Sequence, residues 1–498
     1  MLIANRGEIA VRVIRTLREL DITSIAVFSE PDREALHVLL ADEAYPIGPG
    51  PASESYLHLE CVIETARRTR ADAIHPGYGF FAENAVFARA CADAGLAFIG
   101  PPPEVIARLG DKLSAREVAA QAGAALVPAS PQALTSLTDA RSFADRAGYP
   151  ILLKAALGGG GKGMRMVARQ DELQAAWELA RGEARAAFGD ERLYAERYLE
   201  RPRHVEAQIL ADASGRVTFL GERECSIQRR HQKLLEETPC FGLDERTRAA
   251  LGETACRIAQ AAGYRSAGTV EFLLDSDGRF YFLEVNTRLQ VEHPVTEMTT
   301  GLDLVAEQIR IAEGGATSFG DQPPAPRGWA MEARILAEDP TAHFMPSVGP
   351  VARLRAPQGP GVRNDSGIYR GYQVPVFYDS LLAKLVVWAP DREGARRRLL
   401  RALDEYVLEG LHHNLVFHRW LVAHPRFVSG DLSTRFLDQH FRPSELAPGG
   451  DASEVALLAA ALHARQERIA VTLPDGDGRR GSAWRWAEPR RAPGSGRR

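Results

Sequence analysis

Two periodicities alternate over the first hundred residues, and this constrains the fold more than any other feature. Short apolar runs, LIAN (2–5), SIAVFS (24–29), ADAIHP (71–76) and AFIG (97–100), have the length and content of strands. Between them lie EIAVRVIRTLREL (8–20), YLHLECVIETARRT (56–69) and NAVFARACADAG (84–95), whose apolar residues recur at helical spacing. Strands joined by helices form a parallel sheet with helices on both faces. The chain therefore starts as an α/β domain.

The later segments are more mixed. A helix is expected over 113–125, and a smaller α/β unit over 137–200 is built around YPILLKAALGGGGKGMRMVA. Residues 203–312 read as strands followed by helix, and QPPAPRG (322–328) as a linker. Residues 329–440 give short strands, then helices such as REGARRRLLRALDEYV. After about residue 445, DASEVALLAAALHARQER reads as an amphipathic helix capped by Asp451 or Ser453, with a disordered basic end.

Composition excludes several classes. A net charge of −4 over 498 residues provides no basic field for nucleic acid. No apolar run reaches the length of a membrane span, and the start has no signal-peptide pattern. Cys61, Cys91, Cys225, Cys240 and Cys256 are scattered, which fits reduced thiols in the cytoplasm. Only five of 61 basic residues are lysine, and four of those five fall in the motifs below.

The first motif is TVEFLLDSDGRFYFLEV (269–285). Asp277-Gly278 between apolar runs reads as a two-residue hairpin turn, which pairs Ser276 with Arg279 and Glu271 with Glu284. Opposed side chains on one face have Cβ atoms about 5 Å apart. Two carboxylates that close repel unless one is protonated or a cation lies between them. Alternation adds Asn286 and Arg288 to the same face. Oxygen ligands of this kind suit Mg²⁺ or Mn²⁺ held partly by substrate phosphates.

The second motif is GGGGKG (158–163), between two strand-like runs. No helix follows directly, so it is not a dinucleotide fingerprint, and Lys162 precedes Gly163 rather than Ser or Thr. A glycine hairpin folding over phosphates, with Lys154 on the preceding strand aimed at them, fits better. Metal carboxylates, a phosphate lid and lysines together point to phosphoryl transfer from ATP.

Ordered segments along residues 2–440 then carry a resemblance. LIANRGEIA, IHPGYGF, GDK, KAALGGGGKGM, AERYLERPRHVE, ERECSIQRRHQKLLEE, GTVEFL, EVNTRLQVEHPVTE and EARILAED make the chain resemble the biotin carboxylases of the ATP-grasp superfamily. The resemblance implies an α/β (overall α+β) chain. It comprises a Rossmann-like N-terminal domain (1–110), an ATP-grasp domain (111–315) with a mobile glycine-rich lid at about 128–200, and a mixed α/β C-terminal domain (328–441). A tail (446–498) follows. It implies a ligase forming C–N bonds, which carboxylates biotin on a carrier protein using bicarbonate and ATP.

The roles it implies follow the motifs. Lys112, Lys154, Gly160, Gly161, Glu196, Arg197, Tyr198, Leu199, His204, Gln228, His231, Glu271 and Glu284 match ATP contacts. Glu271, Glu284 and Asn286 match ligands of two Mg²⁺ or Mn²⁺ ions. Lys233, Arg288, Gln290, Val291 and Glu292 match the bicarbonate site, with Glu292 as general base. Arg334 and Arg288 match the biotin site; Arg288, Glu292 and Lys233 are the catalytic set. No lysine follows Lys384, so no biotinylation site is expected on this chain. The expected partners are a biotin carboxyl carrier protein, carboxyltransferase subunits and a second copy of the chain, in an acyl-CoA carboxylase; acetyl-CoA is the first expectation, but the sequence does not name the acceptor, and propionyl-CoA, longer or branched acyl-CoA and pyruvate stay open. The competing readings are another ATP-grasp carboxylate–amine ligase and a non-catalytic ATP-binding subunit.

Overall fold

The alternation in the first hundred residues folds as a five-stranded, all-parallel sheet. In the computed structural model, which describes residues 1–156, 163–446 and 455–462, it comprises β1 (Leu2–Ile3), β2 (Ile25–Ser29), β3 (Glu43–Gly48), β4 (Ala73–His75) and β5 (Ala97–Phe98). The spatial order is β3-β2-β1-β4-β5. β2 is buried along its whole length, as parallel strands covered on both faces are. β3 was not expected: Glu43 and Pro46 break the apolar pattern, and the strand is tolerated because it lies at the sheet edge.

Helix α1 (Gly7–Glu19) buries Ile9, Ala10, Val13, Ile14 and Leu17, the stripe its sequence spacing predicts. Leu304, Val305 and Ile309, from a later helix, close the same core. Leu289, fully buried, belongs to that core as well. It anchors the polar EVNTRLQVEH run from beneath.

Next comes helix α2 (Lys112–Gln121), shorter than expected, with Asp111 accepting the Ser114 N–H as its N-cap. The small unit is a three-stranded sheet of β6 (Ile151–Ala155), β7 (Met164–Val167) and β8 (Leu193–Arg197), ordered β7-β6-β8. β6 and β7 are antiparallel, so the glycine run does connect a hairpin. Residues 157–162, with Gly160 and Gly161, lie outside the described residues.

The largest element is an eight-stranded antiparallel sheet. Its strands are β9 (Arg203–Ala211), β10 (Val217–Arg229), β11 (Gln232–Thr238), β12 (Ser266–Leu274), β13 (Phe280–Asn286), β14 (Trp329–Leu336), β15 (Val362–Ser366) and β16 (Leu381–Ala389). The order is β13-β12-β9-β10-β11-β14-β16-β15. Strands on both sides of the QPPAPRG segment thus share one sheet, through the β11–β14 pairing. Helix α3 (His293–Thr300) follows β13 and packs on this sheet. Residues 455–462 form a helix of their own with exposed side chains; the proposed caps Asp451 and Ser453 lie outside the described residues.

Candidate active site

The carboxylate pair forms, by a different route than the sequence suggests. The turn holds three residues, not two: Asp275 and Arg279 close it, and Gly278 takes φ +82°. That loop pairs Leu274 with Phe280 and Phe272 with Phe282, one position off the expected register. A bulge between Glu271 and Phe272 then restores the count, and Glu271 faces Glu284. Asn286 lies beside them, its amide donating to Glu271 Oε1 at 2.8 Å.

Lys233 is the hub. Its ammonium donates to Glu206 Oε2 at 2.5 Å, Glu292 Oε1 at 2.6 Å and Glu271 Oε1 at 2.8 Å. Arg334 holds the other oxygen of Glu292 at 2.9 Å and grips Glu236 at 2.5 Å. Glu206, Glu236 and Glu292 are fully buried. Burial pushes Glu292 up, but Lys233, Arg334 and Arg223 outweigh it and hold its carboxyl well below the usual range. Glu236 goes the other way: burial lifts it to about 7, against the pull of Arg334. Burial likewise raises Glu284, with Glu271 opposite adding to the effect.

A cavity of about 1240 Å³ opens over these groups. Lys112, Lys154, Glu196, Arg197, Tyr198, Leu199, His204, Gln228, His231, Lys233, Glu271, Glu284, Asn286, Arg288, Gln290, Val291 and Arg334 all line it. Lys154 is buried and bonded to Glu196 at 2.5 Å, while Arg116 holds the other oxygen at 2.7 Å. His204 donates or accepts between Glu271, at 2.7 Å, and Gln228. His231 stands exposed at the rim with φ +67°. Glu292 lies at the head of α3, where Pro294 suits the first turn and the helix end favours a carboxylate. Period two in the preceding run puts Leu289 into the core and leaves Arg288 and Gln290 facing the cavity.

Ligand atoms of His204, Glu206 and Glu271 lie within 4.8 Å of one another, as do those of Glu206, Cys225 and Glu292, but Lys233 already bonds Glu206, Glu271 and Glu292. Glu284 lies outside both groups and has no hydrogen-bond partner among the described residues. It faces Glu271 across the strands, and Asn286, bonded to Glu271, adds an amide oxygen to the set. This oxygen set fits Mg²⁺.

Several site residues were not singled out from the sequence. Glu83 accepts from Arg288 Nε at 2.9 Å and from the Thr287 N–H. Arg223, fully buried, pairs with Glu206, and Glu236 pairs with Arg334. Glu206 sits on a strand otherwise rich in apolar residues, where a charge was the signal that could have found it; Arg223 and Glu236 sit on strands with many other polar residues, where a charge does not stand out. Glu83 had no such signal.

Comparison with known proteins agrees with this architecture. Residues 1–106 match the biotin carboxylase N-terminal domain, 111–318 the ATP-binding domain of the carbamoyl-phosphate synthase L chain, and 332–439 the biotin carboxylase C-terminal domain. The chain is similar to a biotin carboxylase of Nostoc, 51% identical over 88% of this chain and 98% of that protein. It is 43% identical to a propionyl-CoA carboxylase alpha chain of Ruegeria pomeroyi, over 97% of this chain and 75% of that protein. Among solved structures it is similar to the biotin carboxylase domain dimer of Hydrogenobacter thermophilus 2-oxoglutarate carboxylase, in complex with MgADP, ADP and bicarbonate. That likeness has a TM-score of 0.87 and 45% identity over 90% of this chain and 98% of that one.

Proposed function

Because this chain belongs to the biotin carboxylase family, we propose that it uses ATP and bicarbonate to carboxylate biotin presented by a carrier protein. The observation that supports it is the position of Glu292: fully buried, and bonded by Lys233 and Arg334, which line the cavity together with Lys154 and the Glu271–Glu284 pair.

In this reading Glu292 removes the bicarbonate proton, and the freed oxygen attacks the γ-phosphorus of ATP. The P–O bond to ADP breaks, leaving carboxyphosphate and ADP. As it stands Glu292 is a weak base, because two cations hold it ionised. Bicarbonate supplies oxygens that compete for the same N–H groups of Lys233 and Arg334. Each bond moved from Glu292 to the substrate raises the basicity of Glu292 at the moment it is needed. Gln290 and the Val291 N–H orient the anion. Lys112 and Lys154 neutralise phosphate oxygens, and Glu196 keeps Lys154 extended into the cavity. Glu271, Glu284 and Asn286 would hold Mg²⁺, which when bound would supply positive charge to offset the charge developing on the phosphates.

Carboxyphosphate then releases CO₂ and phosphate, and the phosphate takes the N1 proton of biotin. Arg288, held by Glu83, stabilises the ureido enolate as it forms. The nitrogen adds to CO₂, giving carboxybiotin. We propose a homodimer working with a carrier and carboxyltransferase subunits. Acetyl-CoA is the first acceptor to test; propionyl-CoA and 2-oxoglutarate enter the test because carboxylases named for them match this chain.

The test is ADP release by the purified protein with Mg²⁺ and ATP alone, with bicarbonate, and with bicarbonate plus free biotin. The expected result is biotin stimulation that requires bicarbonate and is lost in Arg288→Ala and Glu292→Ala. ATP binding with no such stimulation would overturn the proposal. Adding a carrier, a carboxyltransferase and each acceptor in turn identifies the downstream partner.

A further inference from the structure

Lys384 is fully buried in the middle of β16, opposite Arg334 on β14 and Asp365 on β15. No role in the site has been given to it so far. Its ammonium donates to the Val291 carbonyl at 2.9 Å and lies 3.3 Å from Glu8 Oε2 on helix α1. The Tyr78 ring sits 5.7 Å away. Glu8 is itself buried, and neither of its carboxylate oxygens has a hydrogen-bond partner among the described residues. Glu332, on β14, is another fully buried carboxylate without one.

Burying an ammonium is costly unless its donors are used. Here the strongest contact is spent on one peptide group, that between Val291 and Glu292. The peptide before it is held too: the Gln290 carbonyl accepts from the His293 ring at 2.8 Å. The Val291 N–H finds no protein acceptor among the described residues, and Val291 lines the cavity. Two consecutive carbonyls are thus drawn away from the cavity, which leaves the intervening N–H free to face it.

We infer that Lys384 is a positioning residue for the anion site: it fixes the Val291–Glu292 peptide and ties that peptide to helix α1 through Glu8. The inference rests on the proposed bicarbonate site. Lys384 touches no substrate. It fixes how the chain passes from Val291 into Glu292, and with it the base of the Glu292 side chain, while His293 holds the Gln290–Val291 peptide that carries the free N–H; its loss therefore acts on bicarbonate rather than on ATP.

The test uses the full chain in the ADP-release assay, with Lys384→Met and the double variant Lys384→Met/Glu8→Gln. The double variant removes both buried charges, so Glu8 is not left alone. Both variants are expected to raise KM for bicarbonate by about tenfold or more, with KM for ATP within about twofold of the original. Return of the bicarbonate KM to its original value in the double variant would mean that Lys384 only neutralises Glu8, and would overturn the inference. Parallel loss of ATP affinity would show a general folding role and overturn it equally. Glu292→Gln serves as the control. If it leaves bicarbonate dependence intact, the reading of the anion site fails. If it abolishes that dependence while the Lys384 variants do not alter it, only the positioning role fails.

Discussion

Replacing Arg334 by methionine separates the two carboxylates it grips and makes their protonation visible as stability. Arg334 bonds Glu236 at 2.5 Å and Glu292 at 2.9 Å, and both acids are fully buried. Glu292 keeps Lys233, at 2.6 Å. Among the described residues no other cation is bonded to Glu236. With Arg334 present, burial already lifts Glu236 to about 7. An acid raised in the folded state loses stability as pH climbs from its unfolded value to its folded one, then stays level. In the native protein that decline ends near pH 7. In Arg334→Met the Glu236 pKa rises further, so the decline continues above pH 7 at about 1.4 kcal/mol per pH unit. At pH 6 Glu236 is mostly neutral in both proteins, and the difference is the loss of the Arg334 bonds to Glu292 and to the neutral Glu236, the charge-assisted bond to Glu292 contributing about 1.5–3 kcal/mol. Urea unfolding of both proteins at pH 6, 7, 8 and 9 measures this directly. A stability gap that stays constant from pH 6 to 9 would show that Glu236 is not the titrating group, and no gap at any pH would refute the buried pairing.

Other expectations are simpler. Lys154→Met should raise KM for ATP by about ten- to a hundredfold while the fold survives, because Arg116 still pairs with Glu196 at 2.7 Å; an unchanged ATP KM in the ADP-release assay would count against the phosphate role. Gly367 packs so that an added Cβ would come 2.6 Å from the Glu8 backbone nitrogen, so Gly367→Ala should cost about 1–3 kcal/mol in urea unfolding. His37, His75 and His418 are buried and held down to about 4 by burial. Below about pH 6.5 the unfolded chain takes up protons that these rings refuse, so stability should fall as pH drops from 6.5 to 4. Each ring contributes up to about 3 kcal/mol, and His→Gln variants should flatten that slope.

What the chain determined by itself was local. The helical stripe of α1 and the places of four of the five strands of the first domain follow from side-chain pattern, because a stripe or an apolar run needs no knowledge of its partner, although the strands are shorter than their apolar runs. The polar run after β13 was legible as a site because alternation places Asn286 and Arg288 on the face of Glu284 and because the run carries the resemblance to biotin carboxylases. The Glu271–Glu284 pairing was legible too, although its route was not: a three-residue loop and a bulge offset each other, and neither has a periodic signature. β3 escaped because an edge strand need not be apolar. Tertiary structure alone decided which distant charges meet. Arg334 reaches Glu236 because β14 pairs with β11, and Lys384 reaches Val291, 93 residues earlier, because β16 lies beside β14 under the head of α3. Charges in a buried site are selected by desolvation and by what lies opposite across a sheet, and strand order is a property of the whole chain rather than of any segment.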